Sequence, residues 1–217
     1  LWVGHPMIDL TKKLPLKKYA RTILNLRPDQ NIILLMPASR PQELRYILPT
    51  FMRAAKKLQQ KYPSLVVYIP SCRIAFDEIF KKALRKYQVK GFVISQKDCA
   101  KLKPYIYSLT KIALCKSGTV NMELALYGIP QIVGYRVSRV TAFIAKKILN
   151  FKVKFISPVN LLVNKLIIPE FVQREFDEKK IFYKSCRILE GKSEKIKIKK
   201  GYACLLYTSP SPRDLST

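Results

Sequence analysis

One short stretch of the chain has the residue types and the spacing of a phosphate-binding turn. Residues 112–115 are apolar and indicate a strand, residues 116–118 (Lys-Ser-Gly) indicate a turn, and residues 119–127 indicate a helix. Free backbone N–H groups and the positive end of the helix dipole meet at such a turn, which suits a phosphate group. Glu123 lies one turn into this helix, where its carboxylate can accept hydrogen bonds from sugar hydroxyls.

The same residues also have an ordinary structural explanation. Ser117 or Thr119 would cap the helix, and Glu123 would support that cap. An isolated Ser-Gly-Thr turn is more often such a cap than a ligand site, so the functional interpretation depends on other parts of the chain.

Short apolar runs alternate with helical patterns, which predicts an α/β fold with a doubly wound, parallel, Rossmann-like sheet. Strands are predicted at 31–36, 65–69, 91–94, 112–115, 131–135 and 152–156, and helices near 44–58, 76–84, 100–109, 119–127, 140–149 and 169–189. Pro49 lies inside the first helical pattern and predicts a kink or two successive helices. Ligands of such sheets bind at the carboxyl ends of strands, so the loops at 38–40 and 116–119 should face one crevice.

The net charge of +27, from 41 basic and 14 acidic residues, favours anionic partners such as nucleic acid, acidic lipids or phosphorylated substrates. A lysine-rich coding bias that only decorates the surface explains the same total. The distribution says more, because residues 124–169 contain no Asp or Glu. A surface of one sign is therefore expected beside the predicted turn.

Cysteine and histidine usage argues against several kinds of site. The five cysteines are irregularly spaced without a Cys-x-x-Cys pair, which favours a reducing compartment over a disulfide framework or a zinc site. The one histidine, His5, excludes a multi-histidine metal site, and no carboxylate cluster is evident. We expect no metal and no cofactor. No apolar run approaches the ~18 residues that cross a bilayer.

The two ends of the chain differ from its centre. Residues 1–28 are interpreted as an interdomain connector, residues 29–190 as the ligand-binding domain, and residues 191–217 as a basic, disordered tail. Residues 204–217 resemble translated adaptor or vector sequence. The chain starts at Leu1 rather than Met, which indicates a piece of a longer protein.

Six short motifs occur in an order and at a spacing that resemble one family, lipid-A-disaccharide synthase (glycosyltransferase family 19, with the two-domain GT-B fold). They cover residues 3–176 and comprise Val3-Gly4-His5-Pro6, residues 35–40 (Leu-Met-Pro-Ala-Ser-Arg) with Glu43, Lys116-Ser117-Gly118-Thr119 with Glu123, Gly134-Tyr135-Arg136, Asn160-Leu161-Leu162, and Pro169-Glu170 with Gln173.

The resemblance implies that this chain is the C-terminal, donor-binding half of such an enzyme. The family transfers 2,3-diacylglucosamine from UDP to 2,3-diacylglucosamine 1-phosphate with inversion and release of UDP, in lipid A biosynthesis. The half that carries the acceptor side and the catalytic base would be missing, so no catalytic residue is expected here and the chain should not turn over alone. Exchange of C-terminal domains in the family also implies a homodimer.

The resemblance assigns the contacts with UDP. Arg40 would pair with the diphosphate, the turn at 117–119 would donate to the same phosphates, and Glu123 would accept from the ribose. The implied UDP-binding residues are Ser39, Arg40, Ser117, Gly118, Thr119, Glu123, Tyr135, Arg136, Asn160 and Gln173. Two positions depart from the family pattern: Ala38 replaces a glycine, which restricts the backbone near the phosphates, and Val159 replaces a proline.

A basic helix after the last motif suggests contact with a membrane. We expect Arg139, Phe143, Lys146, Lys147 and Phe151 to lie on an anionic bilayer, because the substrates are acylated. Packing of the apolar stripe of helix 140–149 on the sheet explains the pattern equally well. The expected location is the cytoplasmic face of the inner membrane in a bacterium, or a mitochondrion or plastid in a eukaryote.

Three other functions stay open at this point. One is another GT-B transferase, such as the peptidoglycan N-acetylglucosaminyltransferase, which also has a Ser-Gly turn before a helix with a ribose-binding Glu. Another is a nucleic-acid binder, suggested by the charge, although no recognition motif supports it and we expect no nucleic-acid partner. The third is a truncated chain without activity.

Overall fold

Six parallel strands form one sheet in the computed structural model, which describes residues 13–38, 40–71, 73–138 and 154–208, with side chains up to residue 205. The strands are β1 (Asn31–Met36), β2 (Leu65–Pro70), β3 (Gly91–Ile94), β4 (Thr110–Lys116), β5 (Gln131–Tyr135) and β6 (Glu170–Val172). Their order is β3-β2-β1-β4-β5-β6. This is the order of a Rossmann-type sheet, so the predicted fold class is confirmed.

Helices flank the sheet. They are α1 (Lys17–Ile23), α2 (Pro41–Lys61), α3 (Ile74–Lys86), α4 (Gln96–Leu109), α5 (Val120–Leu126), α6 (Pro158–Val163), α7 (Glu178–Glu190) and α8 (Lys192–Thr208). Helix α2 packs against α3 and α7, whereas α1 packs against α4, and α8 packs against α5, α6 and α7. Helix α2 is a single helix with Pro49 inside it, so the alternative of two successive helices is wrong.

The core is formed by the sheet and by the helices that pack against it, α2 and α7 among them. The inner residues of β1, β2, β4 and β5 are buried on both faces of the sheet, which explains why their sequences are continuous apolar runs. Phe51 of α2 and Phe176 meet edge to face, with ring centroids 5.0 Å apart. Gly134 makes room for them, because a Cβ there would lie 2.1 Å from the Phe176 ring and 2.8 Å from that of Phe51.

The region after residue 153 differs from the prediction. Residues 154–156 are not a strand, and the last strand among the described residues is β6, which pairs with β5 through Val133 and Glu170. The helix predicted at 169–189 is instead β6, a 3-10 turn (Gln173–Glu175) and helix α7. The apolar pair Phe171-Val172 is too short a run to separate a strand from a helix by period alone.

The predicted disordered tail is wrong for residues 192–208, which form helix α8. Ile198, Tyr202 and Leu205 are buried at helical spacing, although lysines occupy the other faces of this helix. Gly201 allows close packing, because a Cβ there would lie 2.3 Å from the side chain of Ile167.

The connector at the start of the chain also belongs to the body, at least from α1 onward. Ala20 of α1 is fully buried, and Leu26 after it is 9% exposed in the same core. The earlier motif at residues 3–6, including His5, lies outside the described residues.

Candidate functional site

The carboxyl ends of β1 and β4 form the centre of the candidate site. These two strands are neighbours, with Met36 opposite Cys115, although β1 connects to β2 and β4 connects to β5. The direction of strand progression reverses between them, and ligands of such sheets bind in the crevice at this reversal. The loop at 37–40 and the turn at 117–119 both leave the sheet there. The predicted convergence of the two loops at one edge is therefore a feature of the structure.

An ion pair connects the two loops. The Nζ of Lys116, at the end of β4, lies 2.7 Å from Oε1 of Glu43, in the first turn of α2. The side chains are only 18% and 12% exposed, so the pair is partly shielded from solvent. The sequence motifs include both residues but do not predict that they pair. The available signal was a pair of opposite charges, one at the end of a strand and the other at the start of the helix that follows a neighbouring strand.

The turn at 117–119 uses two of its predicted donors within the protein. The Ser117 hydroxyl donates to the carbonyl oxygen of Ile156. The N–H of Gly118 donates to Oδ1 of Asn121 at 2.8 Å. Thr119 is exposed at the start of α5 and makes no side-chain cap.

The simple-cap interpretation of this turn is therefore wrong. Neither the Ser117 nor the Thr119 hydroxyl caps α5. Glu123 does not support a cap either, because its carboxylate pairs with another helix. The space above Gly118 is open, since a Cβ there would meet no heavy atom within 4 Å.

Glu123 pairs with a lysine of α4. Its Oε1 lies 2.5 Å from the Nζ of Lys103, and its side chain is 21% exposed. Below the pair, the Tyr107 ring meets Tyr127 edge to face at 5.3 Å. Burial, and to a smaller extent the negative charge of Glu123, raises the pKa of Tyr107. Glu123 is thus a partly buried hydrogen-bond acceptor with one cation beside it.

A cavity of about 380 Å³ adjoins the first loop. It brings together three of the predicted residues, Arg40, Tyr135 and Arg136. Its other lining residues are Gln42, Glu43, Arg45, Tyr46, Val137 and Ser138. The prediction missed Gln42, Arg45 and Tyr46, which are on the first turns of α2, directly after the Arg40 loop.

Arg136 uses its guanidinium to hold the 3-10 turn. Its Nε and Nη2 donate to the carbonyl oxygen of Gln173 at 3.2 and 3.0 Å, and Nη2 also donates to that of Phe176. The guanidinium carbon lies 5.2 Å from the centre of the Phe176 ring. Gln173 has a left-handed backbone, with φ of 53°, which these contacts stabilise. Arg136 thereby connects β5 to the segment that carries Gln173.

Asn160 lies away from the crevice, in the core of the 156–170 segment. It is fully buried, and its Nδ2 donates to the carbonyl oxygen of Ile168 at 2.8 Å and to Glu170 at 2.7 Å. Its Oδ1 accepts from the N–H groups of Ile167 and Ile168. The Glu170 carboxylate also accepts from the N–H groups of Ile156 and Ser157 at the start of α6. Every polar atom of the Asn160 amide is thus used within the protein.

Several predicted residues lie outside the described part of the chain. They are Ser39, on the first loop, and the membrane-contact residues Arg139, Phe143, Lys146, Lys147 and Phe151. Within the described ranges, no group of three or more His, Cys, Asp or Glu side chains is placed to hold a metal ion. No helix in those ranges is long and apolar enough to cross a bilayer.

Comparison with known proteins gives one family match over most of the chain. A family model described as lipid-A-disaccharide synthetase matches residues 1–209. The chain is 44% identical over 211 residues to a lipid-A-disaccharide synthase of Prochlorococcus marinus, covering 97% of this chain and 54% of that protein. The corresponding enzyme of Gloeothece citriformis is 38% identical over 188 residues, covering 87% and 48%. This chain spans about half the length of the curated relatives it matches.

Solved structures show the same architecture. WaaG, a glycosyltransferase involved in lipopolysaccharide biosynthesis, superposes with a TM-score of 0.62 at 12% identity over 98% of this chain and 53% of its own. The C-terminal CMP-Kdo binding domain of WaaA from Acinetobacter baumannii superposes with a TM-score of 0.56 at 9% identity, over 88% and 95%. At these identities the likeness concerns the fold alone.

Proposed function

The chain belongs to the lipid-A-disaccharide synthase family, and from this membership we propose that it is the half of such an enzyme that binds the UDP-linked donor. The proposed reaction transfers 2,3-diacylglucosamine from UDP to 2,3-diacylglucosamine 1-phosphate, with inversion at the anomeric carbon and release of UDP. The observation that carries the donor role is the ion pair between Glu43 and Lys116, which ties the two loops together at the reversal point of the sheet. A diphosphate in that crevice would meet both loops at once.

Arg40 would bind the diphosphate from the first loop. It is exposed at the N-cap position of α2, its side chain makes no cap, and it lines the cavity with Tyr135. A guanidinium offers paired N–H donors that match two phosphate oxygens. It would also stabilise the negative charge that develops on UDP as the leaving group, which is electrostatic catalysis from the donor side.

The turn at 117–119 would approach the same phosphates through its backbone. The open space above Gly118 supports this, because the protein itself does not require a glycine there. A ligand that touches the backbone would require one. The exposed hydroxyl of Thr119 would add a donor, and Ser117 would hold the turn against residue 156.

Glu123 would accept hydrogen bonds from the ribose hydroxyls. Lys103 pairs with its Oε1 and would hold the carboxylate in place, which leaves acceptor capacity for two ribose hydroxyls. Asn160 would support the site rather than touch UDP, because its side-chain amide is fully engaged within residues 160–170. Arg136 lines the cavity, but its Nε and Nη2 are engaged with the backbone of Gln173 and Phe176, so its main role would be to position that segment. Gln173, which Arg136 positions, would present its side chain to the donor.

Titration of UDP into the chain tests the donor role. Arg40→Ala and Glu123→Gln should each raise the dissociation constant of UDP about tenfold or more, because each loses a hydrogen bond to a charged group. Arg27→Ala and Glu78→Gln are matched controls, since both residues form exposed ion pairs elsewhere on the surface. Absence of UDP binding at millimolar concentration, or equal binding by wild type and Arg40→Ala, would contradict the proposal.

The identity of the sugar requires a second measurement. UDP-2,3-diacylglucosamine should displace UDP more effectively than UDP-N-acetylglucosamine does, if the lipid A assignment is right. The reverse order would favour the peptidoglycan-type transferase. Turnover should appear only when the other half of the enzyme, with its acceptor site and catalytic base, is supplied.

The membrane and partner assignments are also proposals. The acylated substrates and the run without acidic residues at 124–169 support peripheral contact with the cytoplasmic face of the inner membrane, as a homodimer in a bacterium. Co-sedimentation with anionic vesicles at low and high salt tests the membrane contact. An absence of binding at low salt would contradict it. Nucleic-acid association should be weak and should largely disappear at ~200 mM salt.

A further inference from the structure

A buried series of hydrogen bonds runs from helix α8 to the turn at 117–119. The Tyr202 hydroxyl donates to the carbonyl oxygen of Ile129 at 3.0 Å and accepts from Nε2 of Gln131 at 3.2 Å. Gln131, on β5, is fully buried, and its Nε2 also donates to the carbonyl oxygen of Asn121 at 2.9 Å. Its Oε1 accepts from Nδ2 of Asn121 at 3.0 Å. Oδ1 of Asn121 then accepts the N–H of Gly118 at 2.8 Å.

The direction of each amide in this series is set by its neighbour. A tyrosine hydroxyl donates once, so the bond to Ile129 leaves the Tyr202 oxygen as an acceptor for Gln131. Both hydrogens of Gln131 Nε2 are then used, and its Oε1 must face Asn121. Asn121 in turn can present only its own Oδ1 to the N–H of Gly118.

Reversal of one amide would therefore reverse the next. If Gln131 turned over, its NH₂ group would face the NH₂ group of Asn121, donor against donor. Asn121 would then turn over too and present a donor to the N–H of Gly118. The whole series lies away from solvent, since Asn121 and Gln131 are fully buried and Tyr202 is 4% exposed. Water cannot supply the missing partners at such positions.

We propose that Tyr202, Gln131 and Asn121 are positioning residues that fix the phosphate turn, so that the docking of helix α8 sets how tightly the diphosphate is bound. The proposal rests on the proposed function for its ligand. None of the three side chains reaches the crevice, so each acts through the backbone of residues 116–118. Asn121 holds this backbone at two points, because its Nδ2 also lies 3.3 Å from the carbonyl oxygen of Lys116.

Tyr202→Phe is the primary test, because it removes one hydroxyl and keeps the ring that packs α8. We expect UDP to bind roughly threefold to tenfold more weakly, which corresponds to one lost hydrogen bond. Uridine, which lacks the diphosphate, should bind as it does to wild type. Hydrogen exchange of the Gly118 amide, measured by NMR without ligand, should become faster.

Tyr68→Phe is the matched control. Tyr68 is a buried tyrosine of β2, 3% exposed, whose hydroxyl donates to the carbonyl oxygen of Leu24 on the other half of the sheet. Its loss should change neither UDP affinity nor exchange of the Gly118 amide. Equal UDP affinity and equal Gly118 exchange in Tyr202→Phe and wild type would overturn the proposal, as would a matching loss of uridine affinity.

A second variant and a ligand-free measurement cover the cases in which Tyr202→Phe does not fold or UDP does not bind. If Tyr202→Phe loses helix α8, Gln131→Met replaces it, since that change removes the amide and keeps a side chain of similar length. Faster Gly118 exchange in Gln131→Met supports the series, and unchanged exchange overturns it. If wild type does not bind UDP, the donor assignment fails, and the Gly118 exchange alone decides whether the series positions the turn.

Discussion

Lys116 and Glu43 lie 73 positions apart in the chain, yet their charged groups are 2.7 Å apart where β1 and β4 end. Oε1 of Glu43 takes the ammonium, whereas Oε2 is buried and has no partner among the described residues. The pair holds the Arg40 loop against the turn at 117–119.

Glu43→Gln should lower both stability and UDP affinity. It removes a charge-assisted hydrogen bond and leaves the Lys116 ammonium partly buried, which costs about 1.5–3 kcal/mol of unfolding free energy. Urea denaturation measures this cost, and UDP titration measures the effect on the site. Glu78→Gln breaks the exposed pair with Lys81 and should leave the urea midpoint unchanged. A variant Glu43→Gln that matches Glu78→Gln in both assays would show that the loops do not depend on the ion pair.

Gly118→Ala should weaken the binding of UDP without changing the stability of the fold. A Cβ at this position meets no protein atom within 4 Å, so folding is unaffected, but the methyl group would occupy the space where a phosphate approaches the turn. The melting temperature and the UDP dissociation constant are the two measurements. UDP binding equal to wild type would mean that no ligand touches the backbone at residue 118.

Gly134→Ala should behave in the opposite way. Its Cβ would lie within 3 Å of the rings of Phe176 and Phe51, and overpacking of this kind costs about 1–3 kcal/mol of unfolding free energy. Thermal unfolding measures the loss. A melting temperature equal to that of wild type would show that the two aromatic rings can move apart at no cost.

Asn160→Ala distinguishes a supporting role from direct contact with UDP. The substitution removes the side-chain partner of the N–H groups of Ile167 and Ile168 and of the Ile168 carbonyl oxygen, and one of the donors to Glu170, so unfolding free energy should fall by about 2 kcal/mol or more. Denaturation and UDP titration are measured on the same sample. Normal stability combined with weakened UDP binding would restore the direct contact that the sequence suggested.

Alkaline pH should destabilise the fold through buried groups that resist ionisation. Burial raises the pKa of the Cys115 thiol to about 12 and that of the Tyr68 hydroxyl to about 12. Between pH 9 and 12 the unfolded chain releases the thiol proton and the folded chain keeps it, so unfolding free energy falls as pH rises, by up to about 1.4 kcal/mol per unit for each group. We expect the unfolding free energy, measured by urea denaturation at pH 8, 9 and 10, to fall more steeply with pH in wild type than in Cys115→Ala. Equal dependence on pH in the two proteins would contradict this role of Cys115.

Five strands could be predicted from the sequence because a parallel sheet buried on both faces requires continuous apolar runs, as at residues 31–36 and 131–135. Strand β6 could not, since it has three residues and pairs only at one edge. Helix α8 was not predicted, because its many lysines gave the segment the composition of a disordered tail. Its buried stripe at Ile198, Tyr202 and Leu205 is visible only when the basic residues are assigned to the outer faces.

The meeting of the two loops could be predicted because both follow strands whose position is fixed by topology, whereas the UDP contacts assigned to these loops stay a prediction. The alternatives of a simple cap and of another GT-B family are now disfavoured, the first by the contacts of Ser117 and Thr119 and the second by the family match. The roles of Arg136 and Asn160 could not be predicted. Whether a polar side chain faces a ligand or the backbone of a neighbouring segment depends on tertiary contacts that the motif does not contain.

Both lysines nearest the two loops are matched by an acid, Lys116 by Glu43 and Lys103 by Glu123. A protein with a net charge of +27 attracts polyanions everywhere on its surface. Neutralisation of these two lysines leaves arginines, Arg40 and Arg45 among them, as the cations that line the cavity. A guanidinium is a planar fork that matches the oxygens of a phosphate in particular orientations. Capture of an anion there then depends on the geometry of its oxygens, and not on the overall positive charge alone.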